Sequence, residues 1–321
     1  MVNQTTTWEK IKAVTGTKTF RALFTIVVVG IVIFILSREI HPSEIATVLK
    51  KANVWWIVAA FLVGAISWVG AAVPLDKLAE IKVPMRDATL VQMASSFVGV
   101  AAPAGLGPVA LHLDYLKKRG MSTVSASAVV AFIALAQVAM SITMVIVALI
   151  FDHQFPHVNF PLRTVILVMV GVIVALALTL VIPKVRRLAI AKTQDYWKQI
   201  QPQIRYVKQN PIDLAWAMLG VFVQTGTYAL ALVFCMYGVG HPISFAEGII
   251  MYLVGNSIGS AIPSPGGIGT TLAATVGALT LIGVPAASAA SGVLMFRLVT
   301  FYLQVPIGAG AFLYMQRQDL L

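Results

Sequence analysis

Charged residues are scarce in this chain. Lysine and arginine number 23 and aspartate and glutamate 12 among 321 residues, so 11% is charged, about half the share of an ordinary soluble domain. Twelve acids and five histidines leave few groups for proton transfer. No nucleophile–base constellation and no phosphate-binding loop motif accompany them, so an enzyme is not expected. His153 and His157 are four apart, but Pro156 between them breaks the helix that would place both on one face, so no metal site is expected. Cys235 is the only cysteine, which excludes an intrachain disulfide. No stretch is long and polar enough for a separate soluble domain, and no cofactor motif is found.

Apolar residues are what the chain has in abundance: 59%, with a mean hydropathy of +0.88. Runs near twenty residues recur along the whole length, as membrane helices require. The formal charge of +11 would suggest nucleic acid on a soluble protein. Here the basic residues flank apolar runs, and no aromatic–basic groove accompanies them. They read as topology signals and as contacts to anionic lipid headgroups, with no nucleic-acid partner. Full spans are expected at 20–37, 54–74, 122–150, 164–182, 214–237 and 286–314. Residues 1–19 read as a basic cytoplasmic or interfacial segment, and 20–37 as a retained helix rather than a cleaved signal.

Two further apolar stretches, about 88–119 and 245–283, are interrupted near their middles by APAGLG at 102–107 and PSPGGIG at 263–269. Proline lacks a backbone donor and glycine is a poor helix former, so neither cluster continues a regular helix. The half-helix before the first cluster is roughly 20 Å long, past the middle of a roughly 30 Å hydrocarbon core but short of crossing it. Charge placement favours two re-entrant hairpins. With both re-entrant, Lys77, Lys82, Arg86, Lys117, Lys118, Arg119 and the basic segment 184–210 fall on one side, with the N- and C-termini, and the positive-inside rule makes that side cytoplasmic. In the segment 184–210, Trp197, Ile200, Ile204 and Val207 recur at helical spacing, which suits either a surface helix or a solvated connector.

The broken stretches align with each other. Superposing Gly105 and Gly107 on Gly267 and Gly269 also matches Ser95 with Ser257 and Pro103 with Pro265. One extra residue in the second copy then matches Gly120 with Gly283, Ser125 with Ser288 and Leu135 with Leu298. Each copy, about 53–151 and 212–316, is a full span, a broken hairpin and a second full span. An odd number of crossings separates their starts, so the copies are inverted, an architecture that recurs among transporters. The expected fold is an all-α integral membrane protein with about six full transmembrane helices and two re-entrant hairpins arranged as inverted repeats.

Candidate binding groups follow from depth. The half-helix after each break begins with free N–H groups and a partial positive charge, offered by Gly105, Leu106 and Gly107 with Val109 and by Gly267, Ile268 and Gly269 with Thr270 and Thr271, while Pro263, Ser264, Pro265 and Gly266 of the second tip are further candidate substrate contacts. The same glycines could instead serve only tight packing of the hairpins. Arg297 lies about eleven residues into its span, where an arginine costs roughly 2.5–3.5 kcal/mol. Either a carboxylate, with Asp114 the obvious intramembrane acid, or a ligand phosphate must offset that cost. His112, Gln137, Gln224, Asn256 and Gln304 either line a path or make hydrogen bonds between helices.

The runs AIPSPGGIG at 261–269 and LIGVPAASAASGVLMFRLVTFYLQVPIG at 281–308 resemble the flippase-like transmembrane family of the lysylphosphatidylglycerol synthases. The PxPGGxG hairpin tip, a G-V-P turn and the arginine of an R-L-x-T-F-like helix carry the likeness. VAAPAGLG with LKKRGMS is similar to the weaker first motif of actinobacterial-type members. The resemblance implies a multi-pass protein of the bacterial cytoplasmic membrane that translocates anionic phospholipids or lipid-linked compounds, with oligomers conceivable. Many relatives carry a glutamate where this chain has Leu272, which puts coupling through that acid in doubt. The aminoacyl-transferase domain of bifunctional members is absent before Leu321, so this chain is not expected to synthesise lysylphosphatidylglycerol. The alternatives are a secondary transporter of a small or polyprenyl-linked solute and a membrane anchor or regulatory subunit.

Overall fold

The computed structural model describes Gly30 and residues 48–50, 52–101, 106–151, 194–261 and 268–321. The expected spans 20–37 and 164–182, the N-terminal segment, residues 184–193 and the tip residues Gly105, Pro263, Ser264, Pro265, Gly266 and Gly267 lie outside them. The described residues form helices α1 (Val54–Lys77), α2 (Met85–Ala101), α3 (Leu106–Lys118), α4 (Thr123–Phe151), α5 (Gln194–Gln209), α6 (Pro211–Gly238), α7 (Phe245–Ala261), α8 (Ile268–Leu281) and α9 (Ala286–Arg297). A π-helical turn (Leu298–Tyr302) then leads into α10 (Gln304–Arg317), and no strand occurs among the described residues.

Among the described residues, four segments are long and apolar enough to cross a membrane: α1, α4, α6 and the run from Ala286 to Arg317. Local signals set their ends. Asn53 caps α1 by accepting from the Trp55 amide at 3.1 Å. Ser122 accepts from the Ser125 amide at the start of α4. At the start of α7, Ser244 and Glu247 exchange reciprocal backbone–side-chain bonds, so two otherwise unpaired amides are satisfied where the chain enters an apolar environment.

The interrupted stretches fold back on themselves. Their arms have 17 and 13 residues in α2–α3 and 17 and 14 in α7–α8, about 20–25 Å each and short of a full crossing. Gly107 packs on the Val98 carbonyl and Gly99 on Pro108, so α2 and α3 are antiparallel. Gly255 faces Thr275 and Gly259 faces Thr271, and Thr270 Oγ1 donates to the Gly259 carbonyl at 2.9 Å. The glycines at these contacts let backbones approach where a methyl group would collide.

Helices α1 and α6 form the central pair and run antiparallel. Gly70 lies against Gly220 and Gln224, where a Cβ would come within 2.7 Å of the Gln224 amide nitrogen, and the Asn53 amide donates to the Gly238 carbonyl at 2.8 Å. The other contacts come in pairs related by exchange of the two aligned segments. Helix α1 packs on α2 as α6 does on α7, and α3 on α4 as α8 does on α9. The last helix of each segment crosses to the other's hairpin, α10 to α2 and α4 to α7. The aligned glycines Gly120 and Gly283 both have positive φ, 94° and 89°. Their turns close with matching bonds: Met121 N to Leu116 O at 3.1 Å and Val284 N to Leu279 O at 3.2 Å, the pattern that ends a helix on a left-handed residue.

Two cores result, one toward each end of the bundle. The first joins α2 and α3 with Leu75, Leu78, Met121, Phe312 and Met315, and the second joins α7 and α8 with Ile57, Leu232, Met236, Val284 and Val293. Basic residues gather at the first end: Arg119 pairs with Asp87, Lys77 sits 3.9 Å from Asp213 and Arg86 donates to the Tyr314 hydroxyl at 2.7 Å. Helix α5 docks at this end too. Gln203 is fully buried and its amide donates to the Leu78 carbonyl, one of the carbonyls left open at the end of α1, while Val207 packs on the first core. The stretch 194–209 is therefore a docked helix rather than a solvated connector.

Candidate functional site

The span expected at 286–314 is not one regular helix. The Leu303 amide donates to the Leu298 carbonyl at 2.9 Å, a five-residue bond that opens the helix by one residue, and Thr300 Oγ1 donates back to the Phe296 carbonyl at 2.7 Å. Such turns inside α-helices mark functional positions more often than chance. This one divides two affiliations: α9 packs on α6 and α8, and α10 on α2.

Arg297 is the last residue before the turn. Its guanidinium carbon lies 5.9 Å from the centre of the Phe301 ring, a cation–π distance. The hydroxyls of Tyr228, Tyr252 and Tyr302 are within its electrostatic reach. Tyr228 and Tyr252 stack with centroids 5.6 Å apart, Phe296 meets Tyr252 edge-on at 6.1 Å, and Ser67 of α1 lies beside Tyr228. By the step that takes Ser95 to Ser257, Tyr228 is the counterpart of Ile66. Ile66 itself is exposed, whereas Tyr228 lies beside the neighbouring Ser67, so Arg297 is joined through Tyr228 to the α1–α6 pair. Its Nη2 is buried and has no hydrogen-bond partner among the described residues.

Asp114 does not supply the missing partner. It is exposed, one turn from the end of α3, and the ion pairs among the described residues include Lys77 with Asp76 and Asp213 and Arg119 with Asp87, none of which involves Arg297. The carboxylate expected as one way to offset the buried charge is thus elsewhere, toward the basic end.

Gln304 begins α10 on the other side of the π-turn. It is 1% exposed, and both its amide nitrogen and its amide oxygen lack partners among the described residues. The nitrogen lies against Gly64, which Thr300 also touches. Gly64 and Ser67 share one face of α1, joined by the Ser67 hydroxyl donating to the Gly64 carbonyl at 2.6 Å. Arg297, Tyr228, Ser67, Thr300 and Gln304 therefore form one continuous polar seam inside an apolar bundle.

The remaining candidates divide. Gly107 is buried against Val98, a packing position, whereas Gly269 faces open space. Thr271 packs on Gly259. Gln137 is exposed and donates to Gln224 at 3.4 Å, a bond between α4 and α6. Asn256 is exposed on α7, and the His112 Nε2 is buried without a partner among the described residues. The tip glycines and prolines that would complete an anion cradle are outside the described residues. Among the described residues no group of three metal-ligating side chains occurs. A mixed-charge depression of about 690 Å³ lined by Asp76, Lys77, Glu80, Lys82, Tyr206 and Asp213 opens at the basic end, about 18 Å along α1 from Gly64 at 1.5 Å per residue.

Tyr228, Tyr252, Ser67 and Gly64 were not among the sequence candidates. A signal was available: tyrosines in transmembrane segments concentrate at the interfaces, so a tyrosine at the middle of a span is out of place. Ser67 and Gly64 gave none, because small residues line most packed membrane helices.

This arrangement defines an all-α multi-pass membrane protein with two pairs of short antiparallel helices and a buried arginine. The chain matches the family described as Lysylphosphatidylglycerol synthase TM region over residues 22–308, and it belongs to that family. It is also similar to a UPF0104 membrane protein of Methanothermobacter thermautotrophicus, 35% identical over 80 residues, which cover 25% of this chain and 23% of that protein. The matched stretch thus spans about a quarter of the length of that curated relative.

Proposed function

We propose that this protein carries an anionic lipid, a phospholipid or a lipid-linked compound, between the two leaflets, with the headgroup passing Arg297 while the acyl chains stay in lipid. A buried guanidinium with an unpartnered nitrogen carries the proposal. Its desolvation cost is tolerated in folded membrane proteins when a counter-charge is nearby, and a phosphate is the partner a guanidinium fits best. The antiparallel α1–α6 pair and the hairpins at opposite ends agree with inverted repeats that alternate in opening the site to each face. The basic end, with the C-terminus, would face the cytoplasm under the positive-inside rule, and the chain would catalyse no bond-making step. Family membership agrees with a lipid-related role.

The purified chain reconstituted into vesicles should render a fluorescent phosphatidylglycerol in the inner leaflet accessible to an outside quencher. Arg297→Ala should slow this by about a hundredfold or more, consistent with loss of a charge-assisted contact in an apolar site, while eluting as a folded species. A folded Arg297→Ala protein with full activity, or a wild-type chain that moves none of several lipid classes, would overturn the proposal.

A further inference from the structure

Arg297 is not the only orphan in the seam. Gln304 is buried to 1% exposure with both ends of its amide unpaired among the described residues. An unpaired buried polar group costs about 1–3 kcal/mol, and here three such atoms, counting Arg297 Nη2, bracket a single π-turn. Hydrogen bonding between helices was the plain expectation for Gln304, and no such bond is formed among the described residues. A ligand is what would satisfy both ends.

Building on the lipid-carrier reading, we propose that Gln304 reads the headgroup, and that the seam selects a phosphodiester whose headgroup bears neutral hydroxyl groups. The charge count comes first. One guanidinium and, among the described residues, no carboxylate within ion-pair distance balance one negative charge, which a phosphodiester carries; a phosphomonoester carries about 1.5–2. An amine in the headgroup would place a second cation beside Arg297 with no acid to offset it. Hydrogen-bond complementarity comes second. A primary amide donates and accepts, as a hydroxyl does, so Gln304 matches an alcohol at both ends. The spacing also suits one molecule. Arg297 and Gln304 lie on either side of the π-turn, and both are linked to the α1 face of Gly64 and Ser67, Gln304 directly and Arg297 through Tyr228. Two residues seven apart on a regular helix share one face, and the extra residue in the opened turn changes that register between Arg297 and Gln304.

The test compares two probes of equal charge in vesicles of phosphatidylcholine: acyl-labelled fluorescent phosphatidylglycerol and the matching phosphatidylpropanol, which keeps the phosphodiester and lacks the hydroxyls. The wild-type chain should move phosphatidylglycerol about tenfold faster or more, since a site built for a hydroxyl rejects the analogue without it. Gln304→Met, close in volume and unable to donate, should bring phosphatidylglycerol down toward the phosphatidylpropanol rate and so erase the difference between the two probes. Arg297→Ala should slow both. Equal wild-type rates for the two probes, a Gln304→Met protein slowed equally for both, or faster movement of labelled phosphatidylethanolamine would each overturn the role of Gln304 while leaving lipid transport standing. Movement of no probe by the wild-type chain would remove both readings. Should Gln304→Met fail to fold, the wild-type ratio alone decides.

Discussion

The two halves of the bundle share helix order, turn geometry and contact pattern, yet they treat their last helix in opposite ways. In the first half α4 runs unbroken from Thr123 to Phe151, and its apolar window is 22% buried. In the second half the equivalent run is 50% buried, opens into a π-turn and carries Arg297. By the alignment that pairs Leu135 with Leu298, Ala134 stands where the second half has Arg297, and it is exposed. The last helix of the first half is thus mostly exposed in the bundle, and its counterpart in the second half is turned inward. The difference teaches that the hairpins alone do not make the site: both halves have a hairpin, and one has a buried charge.

The comparison can be broken most sharply at the level of sidedness. In a Cys235→Ala background, Lys117→Cys and Lys208→Cys should react with an impermeant maleimide from one face, and Pro242→Cys from the other, an all-or-none difference. Reaction of Lys117→Cys and Lys208→Cys from different faces would undo the hairpin reading and, with it, the inverted halves.

A large effect is expected where the halves meet. Gly70→Leu and Gly220→Leu put side chains where a Cβ would already come within 2.7 Å of backbone or 2.6 Å of Val73. Each should cost at least 1–3 kcal/mol, as overpacking does, read as a lower melting temperature in detergent. Gly64→Ala, whose nearest neighbours would be at 3.5 Å, should leave stability nearly unchanged. A Gly70→Leu protein as stable as wild type would remove α1–α6 as the central contact.

The smallest effect sharpens the likeness. Gly120→Ala and Gly283→Ala both place a side chain in a left-handed turn with open space around it, so the penalty is conformational and should be roughly 1–2 kcal/mol for each. Equal melting shifts support equivalent turns; a shift at one position alone would show that only one half depends on its turn.

Most of the helical organisation was legible in the sequence because membrane helices must satisfy their backbone bonds internally and need long apolar runs. The spans at 54–74, 122–150 and 214–237 are found within α1, α4 and α6 with modest changes at their ends. The breaks at 102–107 and 263–269 were legible because proline and glycine cannot continue a helix, and Arg297 because a charge within an apolar run is costly whatever surrounds it. The site was legible in less detail. Asp114 was one of two ways to offset Arg297, a ligand phosphate being the other, because both residues interrupt apolar segments, but sequence carries no information on which face of α3 meets which helix. Gln203 read as one polar residue of a surface segment, and only the docking of α5 shows it closing the open end of α1.

Composition and the placement of helix breakers therefore determined by themselves that this chain is an all-α multi-pass membrane protein with two apolar stretches each divided into a pair of short helices, since both follow from local chemistry along the chain. Which polar groups share the interior was decided by tertiary structure. The antiparallel crossing of α1 on α6 puts Tyr228 and Ser67 together at the centre, and one additional residue in a single turn separates Arg297 from Gln304 around it. Contacts between segments more than a hundred residues apart depend on how whole helix faces pack, and no window of sequence contains both sides of such a contact.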